Sequence, residues 1–129
     1  MEINLKTGMK GKVEDTVVES NTAAKFGSGS IYVYATPMMI GLMENAALNA
    51  VDEDLGKGYS TVGINVNVNH IAATPMNKKV WAEAELTKIE DKKLFFNVTA
   101  FDEDKKIGEG THTRYIINIE KFIEKVEGK

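Results

Sequence analysis

The sequence predicts an α+β domain in which an antiparallel sheet of five strands or more wraps around one long central helix. Three observations carry the prediction. The stretch from Thr36 to Val51 is apolar on nearly every side of a helix, the pattern of a helix surrounded by protein. One strand candidate precedes it. After it the hydrophobic period drops from about 3.6 to 2 in four successive segments, joined by turns too short for the crossovers that parallel strands require.

Taken in order, Gly11 to Ser20 begins with alternation and reads as a strand that ends at the polar Asn21-Thr22. Gly27-Ser28-Gly29-Ser30 is followed by neither Gly-Lys-Ser/Thr nor a G-x-G-x-x-G pattern, so it reads as a loop before a short Ile31 to Tyr34 segment and not as a phosphate cradle. Thr36 then reads as the N-cap of the central helix, and Pro37 suits its first position because a missing N–H costs nothing there. Glu44 is the only charged residue between Thr36 and Val51. A carboxylate in such a helix is paired, protonated or at work. The acids and glycines of Asp52-Glu53-Asp54-Leu55-Gly56-Lys57-Gly58 stop the helix.

Tyr59 to Ile71, Val80 to Glu90, Leu94 to Phe101 and Ile107 to Ile119 are the four strand candidates that follow, rich in Val, Ile, Thr and aromatic residues. In the second of them Val80, Ala82, Ala84 and Leu86 alternate as a face packed on a helix must, with Trp81, Glu83 and Glu85 turned away. Glu120 to Lys125 reads as a short terminal helix. One helix cannot cover both faces of such a sheet, and an open edge strand invites pairing, so a homodimer or higher homo-oligomer is expected.

At 129 residues the chain is expected to form a single domain, 1–129. With no cysteine it has no disulfide, thiolate zinc site or cysteine nucleophile, and a cytoplasmic location is the expectation. Residues 1–6 lack the apolar core of a signal peptide, and the longest mostly apolar run, Ile31 to Met43, falls short of the ~20 residues of a membrane helix, so no membrane partner is expected. A net charge of −3 with interspersed signs offers no basic stripe for nucleic acid.

The first long strand after the helix carries the candidate chemistry. By strict alternation Val62, Ile64, Val66, Val68 and His70 share one face, which aims His70 at the layer containing Glu44 unless a bulge intervenes. Such a pair is either catalytic or a satisfied structural contact. On the last strand, Gly108 to Arg114 holds His112, which by default reads as a surface or sheet-face histidine, and Arg114, the only arginine of the chain. Two histidines and a glutamate at these spacings match no local metal motif, so no metal is expected.

Ala35-Thr36-Pro37 followed by Gly41-Leu42-Met43-Glu44, Thr61-Val62-Gly63 with Val68-Asn69-His70-Ile71-Ala72-Ala73-Thr74-Pro75, and Gly110-Thr111-His112-Thr113-Arg114 together resemble the fluoroacetyl-CoA-thioesterase-like branch of the hot-dog fold thioesterases. The resemblance covers nearly the whole chain. It implies a hot-dog fold and hydrolysis of an acyl-CoA thioester by a catalytic set of Thr36, Glu44 and His70. Gly63 and Arg114 fall in the substrate-binding region, and no cofactor is implied beyond the coenzyme A of the substrate. Members dedicated to fluoroacetyl-CoA carry aromatic lid residues before the Thr, where this chain has Gly27-Ser28-Gly29-Ser30, with Phe26, Tyr32 and Tyr34 nearby. In such a site Glu44 acts as general base toward water or as nucleophile, with His70 orienting it. The lysine pairs beside the turns read as solvated, so Arg114 is the preferred cation for the substrate.

Helix geometry adds a constraint. Thr36 and Glu44 are eight residues apart, about 12 Å along the axis at ~1.5 Å per residue, so they do not touch within one straight helix. Either Thr36 of one subunit meets Glu44 of its partner, or the two act at opposite ends of a pocket. Two other functions remain open on the residues alone: a hot-dog enoyl-CoA hydratase or dehydratase, and a non-catalytic binder of acyl-CoA or another small ligand.

Overall fold

The computed structural model describes residues 4–128; the segment 1–6 read for a leader lies partly outside them. Strand β1 (Lys10–Thr16) is followed by a short helix α1 (Ala23–Phe26), the long helix α2 (Thr36–Val51), strands β2 (Tyr59–His70), β3 (Lys79–Glu90), β4 (Lys93–Asp102) and β5 (Lys106–Asn118), and a final helix α3 (Ile119–Val126). All strand pairs are antiparallel, in the order β1-β3-β4-β5-β2. This is the expected α+β arrangement, with α2 against one face of the sheet. Among the described residues no helix is long and apolar enough to cross a membrane.

Strand β1 ends sooner than the sequence suggests. The Asn21 side chain accepts from Val18 N–H at 2.9 Å and donates to the Thr16 carbonyl at 3.0 Å, closing a 3₁₀ turn over Glu19–Asn21 where alternation predicts more strand. Such local side-chain bonds give the backbone an alternative to the ladder. The helix start also differs. Ala35 occupies the N-cap, Thr36 is already helical, and no side chain caps the end. Both Met38 and Met39 N–H turn back to the Ala35 carbonyl at 3.0 Å, which leaves the Thr36 hydroxyl free of the capping role expected of it.

The helix buries Met39, Met43, Ala46, Ala47, Ala50 and Val51 against Val80, Ala82, Ala84 and Leu86 of β3 and Leu94, Phe96, Val98 and Ala100 of β4. The β3 alternation is as read from sequence. Close approach of α2 to β1 depends on Gly11, where a Cβ would overlap the Ala46 carbonyl oxygen and stand 2.7 Å from Ala50 N. On the opposite face Trp81 stacks on Phe101 at 5.6 Å between ring centroids.

A bulge in β2 decides which of its residues face the helix. Gly63 pairs with Arg114 and Asn65 pairs with Thr113, so Ile64 is an extra residue in the ladder. Directly paired residues share a sheet face. Thr61 and Gly63 therefore lie on the helix side before the bulge, and Val66, Val68 and His70 after it. The single face expected for Val62, Ile64, Val66, Val68 and His70 is thus split, and Ile64 is 52% exposed.

The loop after His70 is pinned from two sides. Tyr34 N–H donates to the Thr74 carbonyl at 2.9 Å, and the Thr74 hydroxyl donates to Asp102 Oδ2 at 2.8 Å. Asp102 is 2% exposed. Burial alone would raise its pKa, but bonds from Lys105 Nζ, Asp104 N–H, Thr74 and Lys105 N–H outweigh it and hold the carboxyl at about 2. That anion anchors the β4–β5 turn to the strap that follows the candidate histidine.

Candidate active site

Two polar centres lie along the contact between α2 and the sheet. At the start of the helix Thr36 Oγ1 and His70 Nδ1 are 2.7 Å apart. His70 closes β2 opposite Gly108, whose missing side chain makes room for Met39: a Cβ there would come 2.5 Å from the Met39 sulfur. The other ring nitrogen, Nε2, is buried without a hydrogen-bond partner. Burial pushes the His70 pKa down, with the Ala72 backbone opposing it, so the ring is biased to the neutral form. Thr36, His70 and Tyr34 line a cleft of about 370 Å³, which also meets Ser28, Val33 and Ala72.

Two turns further along α2, Glu44 faces Gly63, His112 and Arg114. Glu44 Oε2 stands 4.0 Å from Arg114 Nη1, with the Glu44 side chain 41% exposed and the Arg114 side chain 8%. Gly63 provides the space, since a Cβ at this position would come within 2.8 Å of Glu44 Oε2, 3.1 Å of His112 Cε1 and 3.4 Å of Arg114 Nη1. The guanidinium is fixed by Thr61: Nε donates to its hydroxyl at 2.7 Å and Nη2 to its carbonyl at 2.9 Å. Burial lowers the Arg114 pKa, and the Glu44 and Asp52 charges oppose that shift. The arginine remains a cation at any working pH.

The expected contact between Glu44 and His70 is not formed within the chain; the partner of His70 is Thr36. Position along the elements explains the difference. Gly63, beside Glu44, and His70 lie six ladder positions apart on β2, roughly 20 Å at about 3.3 Å per residue. The helix reaches His70 with its first turn and Gly63 only two turns later. Thr36 and His70 are brought together, Glu44, Gly63 and Arg114 are brought together, and the two groups are apart.

His112 and Thr61 escaped sequence reasoning. His112 is 1% exposed and lies on the helix-facing side of the sheet, so of its default reading as a surface or sheet-face histidine the second half holds and the first does not. Its signal was the two-residue spacing to Arg114, which puts both on one side of β5. Thr61 became legible only with the bulge, because strict alternation opposed it to the inward face.

The long helix buries one side and leaves Gly41, Asn45 and Asn49 exposed, where the sequence suggests a helix surrounded by protein. Five antiparallel strands packed against it, with an acid and a threonine of that helix facing histidines and an arginine of the sheet, define a hot-dog fold of the thioesterase kind. A hot-dog-like protein from Thermanaerovibrio acidaminovorans shares this fold with a TM-score of 0.88 at 18% identity, over 99% of this chain and 96% of that one. The chain belongs to the fluoroacetyl-CoA-specific thioesterase family, whose model matches residues 17–120. The fluoroacetyl-CoA thioesterase of Streptantibioticus cattleyicolor is 42% identical over 97 residues, 75% of this chain and 70% of that protein. A crystal structure of a variant of the fluoroacetyl-CoA-specific thioesterase FlK, in complex with fluoroacetate and CoA, superposes with a TM-score of 0.85 at 33% identity, covering 92% of this chain and 99% of that one.

Proposed function

We propose that the chain is an acyl-CoA thioesterase that hydrolyses its substrate to the free acid and CoA, with Thr36, Glu44 and His70 as its catalytic set. The observation that carries this reading is Glu44 itself: a half-exposed carboxylate, the one charge on α2, beside a buried guanidinium and a glycine that leaves it room. Hydrolysis forms a bond from oxygen to the thioester carbonyl carbon and breaks the C–S bond. Glu44 takes the proton of the attacking water as base, or attacks first and is freed by water. The departing CoA thiolate takes up a proton, and Arg114 supplies donors for charge that builds on the carbonyl oxygen. Two of the first-turn amides of α2 are bonded to Ala35, so at that end of the site the Thr36 hydroxyl is the donor we assign, tuned by its bond to His70.

The separation of the two centres supports a site shared by two subunits, in which Thr36 and His70 of one copy face Glu44 and Arg114 of the other. Strand β2, at an edge of the sheet, is the natural seam for such a homodimer. The acyl group depends on what closes the cleft. Gly27-Ser28-Gly29-Ser30 places no aromatic side chain over it, Phe26 and Tyr32 are half exposed, and the Tyr34 hydroxyl is bonded to the Met38 carbonyl at 3.3 Å. These features favour an open pocket without selectivity for the fluoroacetyl group.

Release of free thiol from a panel of acyl-CoAs tests the activity, with Glu44→Ala expected to lose about 100- to 10,000-fold in kcat. An enoyl-CoA included in the panel separates hydration from hydrolysis. Mixing inactive Thr36→Ala with inactive Glu44→Ala is expected to restore part of the activity. No recovery despite demonstrated subunit exchange refutes the shared site, and thiol release untouched by Glu44→Ala refutes the assignment of the base.

A further inference from the structure

We propose that His112 is a positioning residue: as a neutral ring protonated on Nδ1, it holds the third corner of the Arg114 guanidinium and so fixes the cation that faces Glu44. This rests on the thioesterase reading and extends it to a residue outside the catalytic set.

The tautomer follows from the two partners of the ring. His112 Nδ1 is 2.7 Å from the Asn65 carbonyl oxygen, which only accepts, so Nδ1 carries the proton. Nε2 is 3.1 Å from Arg114 Nη1, which only donates, so Nε2 presents its lone pair. A proton on Nε2 would remove that bond and set two cations against each other in a buried site. Burial and the Arg114 charge both disfavour the imidazolium, with the Asn65 carbonyl and Glu44 opposing them. The ring is therefore a fixed acceptor for Nη1.

With Thr61 holding Nε and Nη2, His112 completes a three-point clamp. A guanidinium held only by Thr61 keeps the freedom to tilt about that edge. Held at Nη1 as well, it keeps its remaining donors aimed toward Glu44, 4.0 Å away. The bulge supplies the other end of the clamp, because the carbonyl that anchors the ring belongs to Asn65, the residue just past the extra Ile64. Bulge, histidine and arginine thus form one chain of contacts ending at the carboxylate.

The test uses the full chain with acetyl-CoA and free-thiol release. His112→Leu removes both bonds at similar bulk. It is expected to lower kcat about 10- to 100-fold, the scale of one hydrogen bond to a charged group, with KM changed by less than about 3-fold. His112→Gln, whose amide both donates and accepts, is expected to stay within about 3-fold of the parent in both constants. Added to Arg114→Met, His112→Leu is expected to cost less than about 3-fold more, because the group it positions is gone. If His112→Leu does not fold, as judged by circular dichroism, His112→Asn replaces it, being polar but one carbon too short to reach both partners. Equal losses in the Gln and Leu (or Asn) variants, or a full further loss on Arg114→Met, overturn the proposal. Should the parent release no thiol from any acyl-CoA, the thioesterase reading fails by itself. Nitrogen NMR of the His112 ring then decides the positioning role: an Nδ1–H neutral ring that is kept in the parent and changes on Arg114→Met upholds it, and a ring indifferent to Arg114 overturns it.

Discussion

Replacing Gly63 by alanine perturbs the Glu44 centre by one methyl group. The new Cβ would stand 2.8 Å from Glu44 Oε2 and 3.1 Å from His112 Cε1, where 3.4 Å is ordinary contact, so the carboxylate oxygen retreats by about 0.6 Å and the ring by about 0.3 Å. Oε2 is the far end of a flexible, half-exposed side chain and moves cheaply. Lengthening its 4.0 Å separation from Arg114 Nη1 by that amount weakens the attraction by only about 0.5 kcal/mol at an effective dielectric near 20, less after solvent screening. The overpacking costs about 1 kcal/mol, a Tm loss of roughly 3–5 °C in a chain of this size. The rate suffers more, because a reacting group misplaced by a good fraction of an ångström costs about 10-fold or more. We therefore expect Gly63→Ala to lower kcat about 10-fold in the thiol-release assay while remaining folded at 25 °C. Gly41→Ala is the control: it sits on α2 with nothing beyond its chain neighbours and the local helix backbone within 4 Å of the added carbon, and is expected to gain about 0.5–1 kcal/mol of stability with kcat unchanged. Unaltered kcat in Gly63→Ala, or a loss matched by Gly41→Ala, would refute the reasoning.

Two further outcomes follow from geometry already described. Both histidines have folded pKa values below their ordinary one, so on acidification the unfolded chain takes up protons first. Their contribution to stability is fully present above the unfolded value of about 6.5 and is lost as pH falls below it, so Tm should decline between pH 7.5 and 5. His112→Gln should flatten that decline, and a Tm that does not fall in this window counts against neutral burial of the rings. Gly11→Ala forces a carbon onto the backbone of α2 at Ala46 and Ala50, and should cost about 3 kcal/mol, or roughly 10 °C in Tm; a shift below about 3 °C would mean the helix yields freely.

The sheet was legible because its strands alternate over most of their length and the turns after β2 are short. Val80 to Leu86 of β3 could be assigned to the helix face from alternation alone, and all four stand buried there. The helix was legible for the complementary reason, its nearly uniform apolar surface. Alternation failed where backbone hydrogen bonding departs from the ladder: at Asn21, whose amide ends β1 early, and at Ile64, whose insertion moves Thr61 and Gly63 onto the inner face. Thr36 was misplaced by one position, because Ala35 serves as N-cap without a side-chain bond. Within the site, residue types were readable and their grouping was not. Which acid meets which base depends on where a helix turn crosses a strand, and a one-dimensional pattern carries no such information. Helix rise was the exception, since eight residues of helix by themselves keep Thr36 from Glu44.

The extra residue at Ile64 means that the two centres are tied to each other by the register of one strand, not by a contact. No hydrogen bond runs from the Thr36–His70 centre to Glu44, yet both draw on β2, and the two share a face only because Ile64 is left out of the ladder. Substitution can tune either centre separately. A one-residue slip that drew Ile64 into the ladder would part the two: with the β5 pairing kept on the Thr61 side, it would carry Val66, Val68 and His70 to the outer face together and take the histidine from Thr36 without altering either residue. Deleting Ile64, by contrast, leaves a regular ladder in which Gly63 still pairs with Arg114 and Val66 with His112, so for this chain it is the setting aside of the extra residue, and not the length of the strand, that keeps both centres on one face.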